Sequence, residues 1–362
     1  MPLFPEYFQD WLFDALALQP GDELCDELLE PLHTLHRRLM ASDGATAYAD
    51  DPAAMRSYAS FYMPINMPKL WRMLDRCGDA LTTALANGPV TVTELGCGPG
   101  TFLWALLFYL RHHRPDLLPN IGKLTGVDRS PVALELAGKL SKSIRRDPLL
   151  AKVPCEFVQG DWREHSGNAG IVIAGNVLNE ADDTAITFGT PSEQLLIIIE
   201  PGTAAVFQQI LPLRQQLIDT GFQINFPCPS QHACPLAADN WCHFHINRFE
   251  LPFIQRMANR LHRQNARHHF IGFVFSGTTT SAENQWRVLS RLRRVHRSGI
   301  RYICDGRHVV EAVLSRRDKA TGNAAFAKAA AGDLILMDGP RDAATFAQSK
   351  HIRNTDRIDI VD

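Results

Sequence analysis

Apolar and polar positions along the chain change period near Pro89. Before it, Leu28–Met40 and Leu70–Ala86 carry apolar residues at helical spacing, and Asp43-Gly44 and Asn87-Gly88-Pro89 are turn signals. A mostly helical extension over 1–88 is predicted. After it, short β-type runs alternate with helical ones. Strands are predicted at Val90–Leu95, Lys123–Asp128, Cys155–Gln159, Gly170–Gly175 and Leu195–Glu200. Helices are predicted at Phe102–His112, Pro131–Lys142 and Val177–Thr187. Near-continuous apolar strands separated by helices imply a parallel sheet covered on both faces. The fold class is therefore α/β, a Rossmann-type domain over 89–225.

The rhythm breaks at Phe226–His245, where Pro227, Pro229 and Pro235 exclude long regular elements. Beyond it lie a helical-looking basic stretch (Arg248–Arg267), an apolar run (Phe270–Phe275) and strand-like runs around Arg301–Ile303 and Val309–Leu314. Residues 226–340 are read as a cysteine-containing, metal-binding basic region that completes the fold, and 341–362 as a C-terminal tail.

Val92-Thr93-Glu94-Leu95-Gly96-Cys97-Gly98-Pro99-Gly100 places a glycine-rich turn between a strand and a helix. Gly96, Gly98 and Gly100 let the backbone turn sharply and approach a ligand where a Cβ would collide. An acidic residue opening the motif, Glu94, points to an S-adenosylmethionine-dependent methyltransferase rather than a dinucleotide dehydrogenase. Asp128 ends the next strand, where a carboxylate can accept both ribose hydroxyls. Asp161 follows the third strand, at the place of an adenine contact. Asn176 follows the fourth, near the expected methyl group, and Glu180 is a candidate proton acceptor. The stretch Asn176-Val177-Leu178-Asn179-Glu180 lacks the paired prolines of many base methylases. Cys97 is read as a small packed side chain.

Cys228, Cys234 and Cys242 stand in a C-x5-C-x7-C arrangement, with Cys304 farther on. Four thiolates can bind zinc or hold an iron–sulfur cluster. The wide spacings and the Cys-Pro pairs favour iron–sulfur, with zinc as the lesser alternative. His232, His243 and His245 are read as polar loop residues.

Charge sharpens the picture. The net formal charge is −2, yet 245–319 holds 15 Lys and Arg against 5 Asp and Glu. Such asymmetry points to a polyanion-facing surface, with Arg287, Arg291, Arg293, Arg294 and Arg297 as candidate phosphate contacts. With 45% hydrophobic and 21% charged residues the chain has the composition of a globular protein. No apolar run approaches the roughly 20 residues that span a bilayer. The start of the chain lacks the basic and apolar pattern of a secretory signal, so a cytoplasmic protein is expected.

The chain resembles the methyltransferase-like proteins of the mitochondrial small ribosomal subunit and their bacterial relatives. The resemblance runs through Met63-Pro64, the glycine turn, Ile199-Glu200-Pro201-Gly202-Thr203, Arg214, Pro227-Cys228-Pro229, Cys234-Pro235-Leu236, Trp241-Cys242-His243-Phe244, Cys304-Asp305-Gly306, Ser315-Arg316-Arg317-Asp318 and Gly332-Asp333. It implies a Rossmann methyltransferase fold, S-adenosylmethionine, a [4Fe–4S] cluster on Cys228, Cys234, Cys242 and Cys304, and binding to small-subunit rRNA in ribosome assembly. Tyr62 stands where the family has an arginine, and Asn265–Phe273 departs from the family's acidic, lysine-bearing stretch. Two alternatives follow: a small-molecule methyltransferase that keeps the cluster as scaffold, and a non-catalytic assembly or redox-sensing module.

Overall fold

Strand β5 (Leu195–Pro201) shows how the molecule is layered. Leu195, Ile197 and Ile199 point into one apolar core and Leu196 and Ile198 into another, on the opposite face of the sheet. A strand buried on both faces has no polar side, which explains its unbroken apolar run. Each fully buried Leu or Ile of this kind contributes about 1.5–3 kcal/mol. The computed structural model describes residues 4–41, 48–86, 88–167, 169–180, 188–236, 240–246, 251–262, 267–278, 284–337 and 349–361.

The main sheet contains β1 (Val90–Leu95), β2 (Ile121–Asp128), β3 (Cys155–Gln159), β4 (Ile171–Gly175), β5, β6 (Gln223–Phe226), β7 (Phe244–Ile246) and β8 (His268–Ser276). Their order is β3-β2-β1-β4-β5-β8-β6, with β7 also paired to β8. The strands β1 to β5 pair in parallel, and β8 runs antiparallel to β5, β6 and β7. The order reverses between β1 and β4. The crevice beyond the carboxyl ends of these strands is where such sheets bind ligands. The apolar run Phe270–Phe275 is thus the core of β8.

Helices α1 (Phe8–Leu16), α2 (Asp26–Ala41), α3 (Pro52–Ser57) and α4 (Met63–Ala86) form the N-terminal part. They belong to the main core. Trp11 packs edge-on to Phe108 at 5.3 Å and donates its indole N–H to the Leu140 carbonyl (3.0 Å). Trp71 donates to the Ala105 carbonyl (2.8 Å). These bonds fasten α1 and α4 to α5 (Thr101–His113) and α6 (Pro131–Ile144), which cover the sheet. The other face is covered by α7 (Ala204–Asp219), through Phe207, Ile210, Leu213 and Leu217.

A second sheet lies in the C-terminal part. It joins β9 (Gln285–Val288), β10 (Arg293–Val295), β11 (Ser298–Cys304), β12 (Val309–Ser315), β13 (Leu334–Met337), β14 (Ser349–Ile352) and β15 (Ile358–Val361). The order is β14-β12-β11-β9-β13-β15, with β10 on β11. Trp286, Val310, Leu314, Phe326 and Ile335 are among the residues of its own core.

Three expectations change. The region 226–340 divides between the two sheets. The expected tail 341–362 contributes β14 and β15 in its described part, because Ile352 and Ile358 are buried in the second core. The helix expected over Val177–Thr187 is only a single tight turn, Leu178–Glu180, among the described residues, and 181–187 lie outside them. Of the basic stretch Arg248–Arg267, Pro252–Arg260 is helix α8, while 248–250 and 263–266 lie outside the described residues.

Candidate cofactor site and cysteine centre

The glycine turn closes as its sequence requires. Gly96, Gly98 and Gly100 have φ of 61°, 53° and 84°, the left-handed region that glycine adopts without strain. At Gly96 a Cβ would also stand 2.4 Å from Val177, whereas at Gly98 it would meet nothing within 4 Å. Gly98 is thus open on the side a ligand would approach.

Glu94 is 1% exposed. Its carboxylate accepts the Phe102 N–H (3.0 Å) and the Leu103 N–H (2.9 Å), two donors that the first turn of α5 leaves without helical partners. Burial pushes its pKa up to about 8, against the lowering effect of those N–H groups. Asp128 accepts the Gly98 N–H (2.8 Å) and the Ser130 N–H (2.9 Å), so it ties the end of β2 to the glycine turn. Asp161 accepts the Arg163 N–H (2.9 Å) and pairs with the Arg163 guanidinium (3.3 Å) at the pocket rim.

Asn176 has a φ of 55°, and its N–H donates to the Ile199 carbonyl (2.8 Å). Asparagine tolerates this conformation better than most residues. Glu180 follows, with burial as the main cause of a pKa raised to about 7; Arg129 lowers it and Asp128 raises it.

One cavity brings these side chains together. Glu94, Gly96, Gly98, Asp128, Asp161, Asn176 and Glu180 all line it, at the switch point of the sheet. Gly100 stands just behind, at the start of α5. Sequence reasoning missed the opposite wall, which Tyr48, Ala49, Met55 and Tyr58 build from the N-terminal part. Tyr48 stacks on Tyr58 at 5.9 Å, and Tyr58 on Tyr62 at 5.8 Å. Glu200 was also missed as a site residue. Its fully buried carboxylate accepts the Val177 and Leu178 N–H groups (3.1 and 2.9 Å) and so holds the Asn176 loop. The Glu-Pro-Gly-Thr segment was the available signal.

The four cysteines come from two layers. Cys228, Cys234 and Cys242 pack against the α7 side of the main sheet, and Cys304 ends β11 of the second sheet. The Cys304-Asp305-Gly306 turn rests on the Cys228 loop: a Cβ on Gly306 would stand 2.2 Å from the Ser230 hydroxyl. The Gly306 N–H donates to Cys304 Sγ (3.2 Å). All eight cysteines are free. Burial is the main cause of a Cys242 thiol pKa raised to about 12, with Arg287 and Arg214 lowering it and the neighbouring Cys228 and Cys234 adding to the rise. Burial likewise raises Cys304, with Cys228, Cys242 and Cys234 adding to the effect. The four thiols therefore share one neighbourhood. Among the described residues, however, no group of three or more His, Cys, Asp or Glu side chains stands at metal-holding geometry.

The basic segment separates into two kinds of arginine. Arg291, Arg293, Arg294 and Arg297 are exposed around the β10–β11 hairpin, and Arg316 and Arg317 lie beside them, since the Arg316 N–H donates to the Arg297 carbonyl (2.7 Å). Arg287, expected on that surface, is instead 2% exposed and faces the cysteines. Its alternate position on β9 turns it inward, so it cannot serve as a phosphate contact. Among the described residues no helix is long and apolar enough to cross a membrane.

Comparison with solved structures finds low-identity similarity to methyltransferases. The plantazolicin methyltransferase BpumL bound to SAH is 10% identical, with 69% of this chain and 96% of that chain covered and a TM-score of 0.34. Magnesium protoporphyrin IX methyltransferase from Synechocystis PCC 6803 with SAH is 14% identical over 56% of this chain and 81% of that chain, TM-score 0.28. A SAM-dependent methyltransferase from Thiobacillus denitrificans is 12% identical over 55% and 90%, TM-score 0.30. No curated protein matches the chain. A family model described as mitochondrial small ribosomal subunit Rsm22 matches residues 53–335. That match takes in the N-terminal wall of the cavity from Met55 on, the whole main sheet and the four cysteines, and the chain belongs to the mitochondrial small ribosomal subunit Rsm22 family.

Proposed function

We propose that this protein is an S-adenosylmethionine-dependent methyltransferase-like factor that binds small-subunit rRNA during ribosome assembly, with an iron–sulfur cluster on Cys228, Cys234, Cys242 and Cys304. The observation that carries the reading is the single crevice lined by Glu94, the glycine turn, Asp128, Asp161 and Asn176 in a chain of a ribosomal-subunit family.

The bound cofactor would supply an electrophilic methyl group for in-line displacement. The chain's part is to position it and to prepare the acceptor. Asp128 would accept the ribose hydroxyls and Asp161 would contact the adenine edge. The open flank of Gly98 lets the backbone approach the ligand. Asn176 would orient the acceptor. Glu180, raised to about 7, has a pKa suited to taking a proton near neutrality.

The cluster reading is supported by the donor set. Four free thiols from two layers share one neighbourhood, and thiolates are the usual ligands of such clusters. Zinc is the alternative occupant. Either would pin the second sheet to the loop after β6. The exposed arginines of the β10–β11 hairpin would contact phosphates. The family is described by a mitochondrial particle, and the reading rests on the subunit rather than on the compartment.

The test is a salt titration of binding to small-subunit rRNA, with the quadruple variant Arg291→Ala, Arg293→Ala, Arg294→Ala, Arg297→Ala. The wild type should lose affinity steeply between 50 and 200 mM salt, and the variant's log–log slope should be smaller by roughly 3 to 4. Salt-independent binding, or a variant with unchanged slope, overturns the RNA assignment. A second reading, a small-molecule methyltransferase, is favoured by Tyr48, Met55 and Tyr58, which add an aromatic and apolar lining to the crevice. Methyl transfer without RNA would select it.

A further inference from the structure

Two guanidinium groups next to the four thiols pair with no carboxylate among the described residues. Arg214 on α7 and Arg287 on β9 are each 2% exposed. Arg214 donates one Nη2 hydrogen to the His232 carbonyl (3.0 Å), and Arg287 donates from Nη1 to the Gly332 carbonyl. Neither forms an ion pair with a carboxylate among the described residues; none of the ion pairs found there includes them. The Nε and Nη1 atoms of Arg214 and the Nε and Nη2 atoms of Arg287 are buried without a hydrogen-bond partner. Burying an unpaired charge and several unmet donors is strongly unfavourable, so an anion is expected where they point.

Their positions say which anion. Arg287 stands directly opposite Cys304 in the antiparallel β9–β11 pairing. It lies over the rings of Phe226 and Phe244, at 5.1 and 5.2 Å, and each ring is two residues from a cysteine, Cys228 and Cys242. Arg214 is bonded to His232, in the loop between Cys228 and Cys234. The two cations therefore approach the thiol group from different layers, one from the helix covering the main sheet and one from the second sheet. Four thiolates around either a [4Fe–4S]²⁺ core or a zinc ion carry a net charge of about −2. Two guanidinium ions neutralise it.

We propose that Arg214 and Arg287 are positioning residues that balance the charge of an anionic tetrathiolate centre on Cys228, Cys234, Cys242 and Cys304. This inference rests on the reading that these cysteines hold a metal centre. It also assigns Arg287, which composition alone grouped with the phosphate contacts, to a buried structural task.

The test uses the full chain purified without oxygen. Iron, sulfide and zinc are assayed per chain, and metal release to an excess of chelator is timed. The variants are Arg214→Gln, Arg287→Gln, Arg214→Lys and Arg287→Lys. The expected result is a loaded wild type, release at least tenfold faster in each Gln variant, and release restored toward wild type by Lys, which keeps the charge. A loaded wild type whose Gln variants load and release like it overturns the inference alone. So does a Lys variant that releases metal as fast as the Gln variant, because shape rather than charge would then be the cause. A folded wild type without metal overturns the metal-centre reading and this inference together.

Discussion

Gly98 donates its backbone N–H to the Asp128 carboxylate across 2.8 Å. The residue proposed to hold the ribose is thereby fastened to the turn proposed to border the rest of the cofactor, before any ligand arrives. Groups held in advance lose less freedom on binding.

That arrangement separates the glycines by role. Gly96→Ala places a Cβ 2.4 Å from Val177 at a positive φ, so it should destabilise the fold itself, by about 2 kcal/mol or more. Gly98→Ala meets no protein atom within 4 Å and carries only the conformational cost, about 1 kcal/mol. Thermal unfolding should therefore fall clearly for Gly96→Ala and slightly for Gly98→Ala, while Gly98→Ala still loses S-adenosylmethionine binding. A Gly98→Ala variant that binds as well as wild type would remove Gly98 from the contact surface.

Buried carboxylates should make binding of the proposed cofactor pH-dependent. Burial raises Glu94 to about 8 and Glu180 to about 7, so both keep protons at pH 6 and release them by pH 9. A sulfonium cation favours their ionised forms. Binding of S-adenosylmethionine should expel protons and tighten as pH rises from about 6 to 8. S-adenosylhomocysteine, with a neutral sulfur, should show a shallower slope in calorimetry. Equal slopes for the two ligands would contradict this coupling.

The same shift carries a sign for stability. The folded state binds more protons than the unfolded state between Glu94's ordinary range near 4.5 and its raised value of about 8, so this group costs stability as pH rises through that window. Glu94→Gln cannot ionise. Relative to wild type it should gain stability between pH 5.5 and 8.5, on the order of 3 kcal/mol. Denaturant melts at the two pH values check this, and a constant difference would refute it.

Asp333 couples the two parts of the molecule. Its Oδ1 pairs with Arg72 (3.2 Å) and Arg76 (3.1 Å) on α4, and its Oδ2 accepts the Ala330 N–H (2.7 Å). Asp333→Asn keeps one acceptor but removes the negative charge that both arginines face. A loss of about 1–3 kcal/mol is expected, partial exposure of the arginines holding it at the low end. Thermal unfolding with and without 1 M salt measures it.

How much was legible follows from the range of the forces involved. Cys155–Gln159 was predicted to the residue, and Val90–Leu95 likewise, because their β-favouring residues are bounded on both sides by turn formers, Pro154 and Gly160 for the first and Pro89 and Gly96 for the second. Glu94, Asp128, Asp161, Asn176 and Glu180, singled out from the sequence, line one cavity because parallel strands of one sheet end at the same crevice. Tyr48 and Tyr58 escaped notice, since nothing in their local pattern says that an N-terminal segment lines that crevice. Arg287 was misplaced because composition records that an arginine is basic and not which face of β9 it occupies. Val177–Thr187 was read as a helix from its apolar residues; what holds the Asn176 loop is the Glu200 carboxylate, 20 or more residues along the chain.

The central claim is that the crevice at the β1–β4 switch point holds S-adenosylmethionine. Calorimetric titration of wild type and Asp128→Asn tests it most directly, because asparagine retains an oxygen for the Gly98 or Ser130 N–H while losing the charge and one acceptor. The account predicts one site per chain in the wild type, and affinity at least tenfold weaker in Asp128→Asn on a fold whose melting temperature changes little. No binding by folded wild-type protein, or equal affinity in Asp128→Asn, would contradict it.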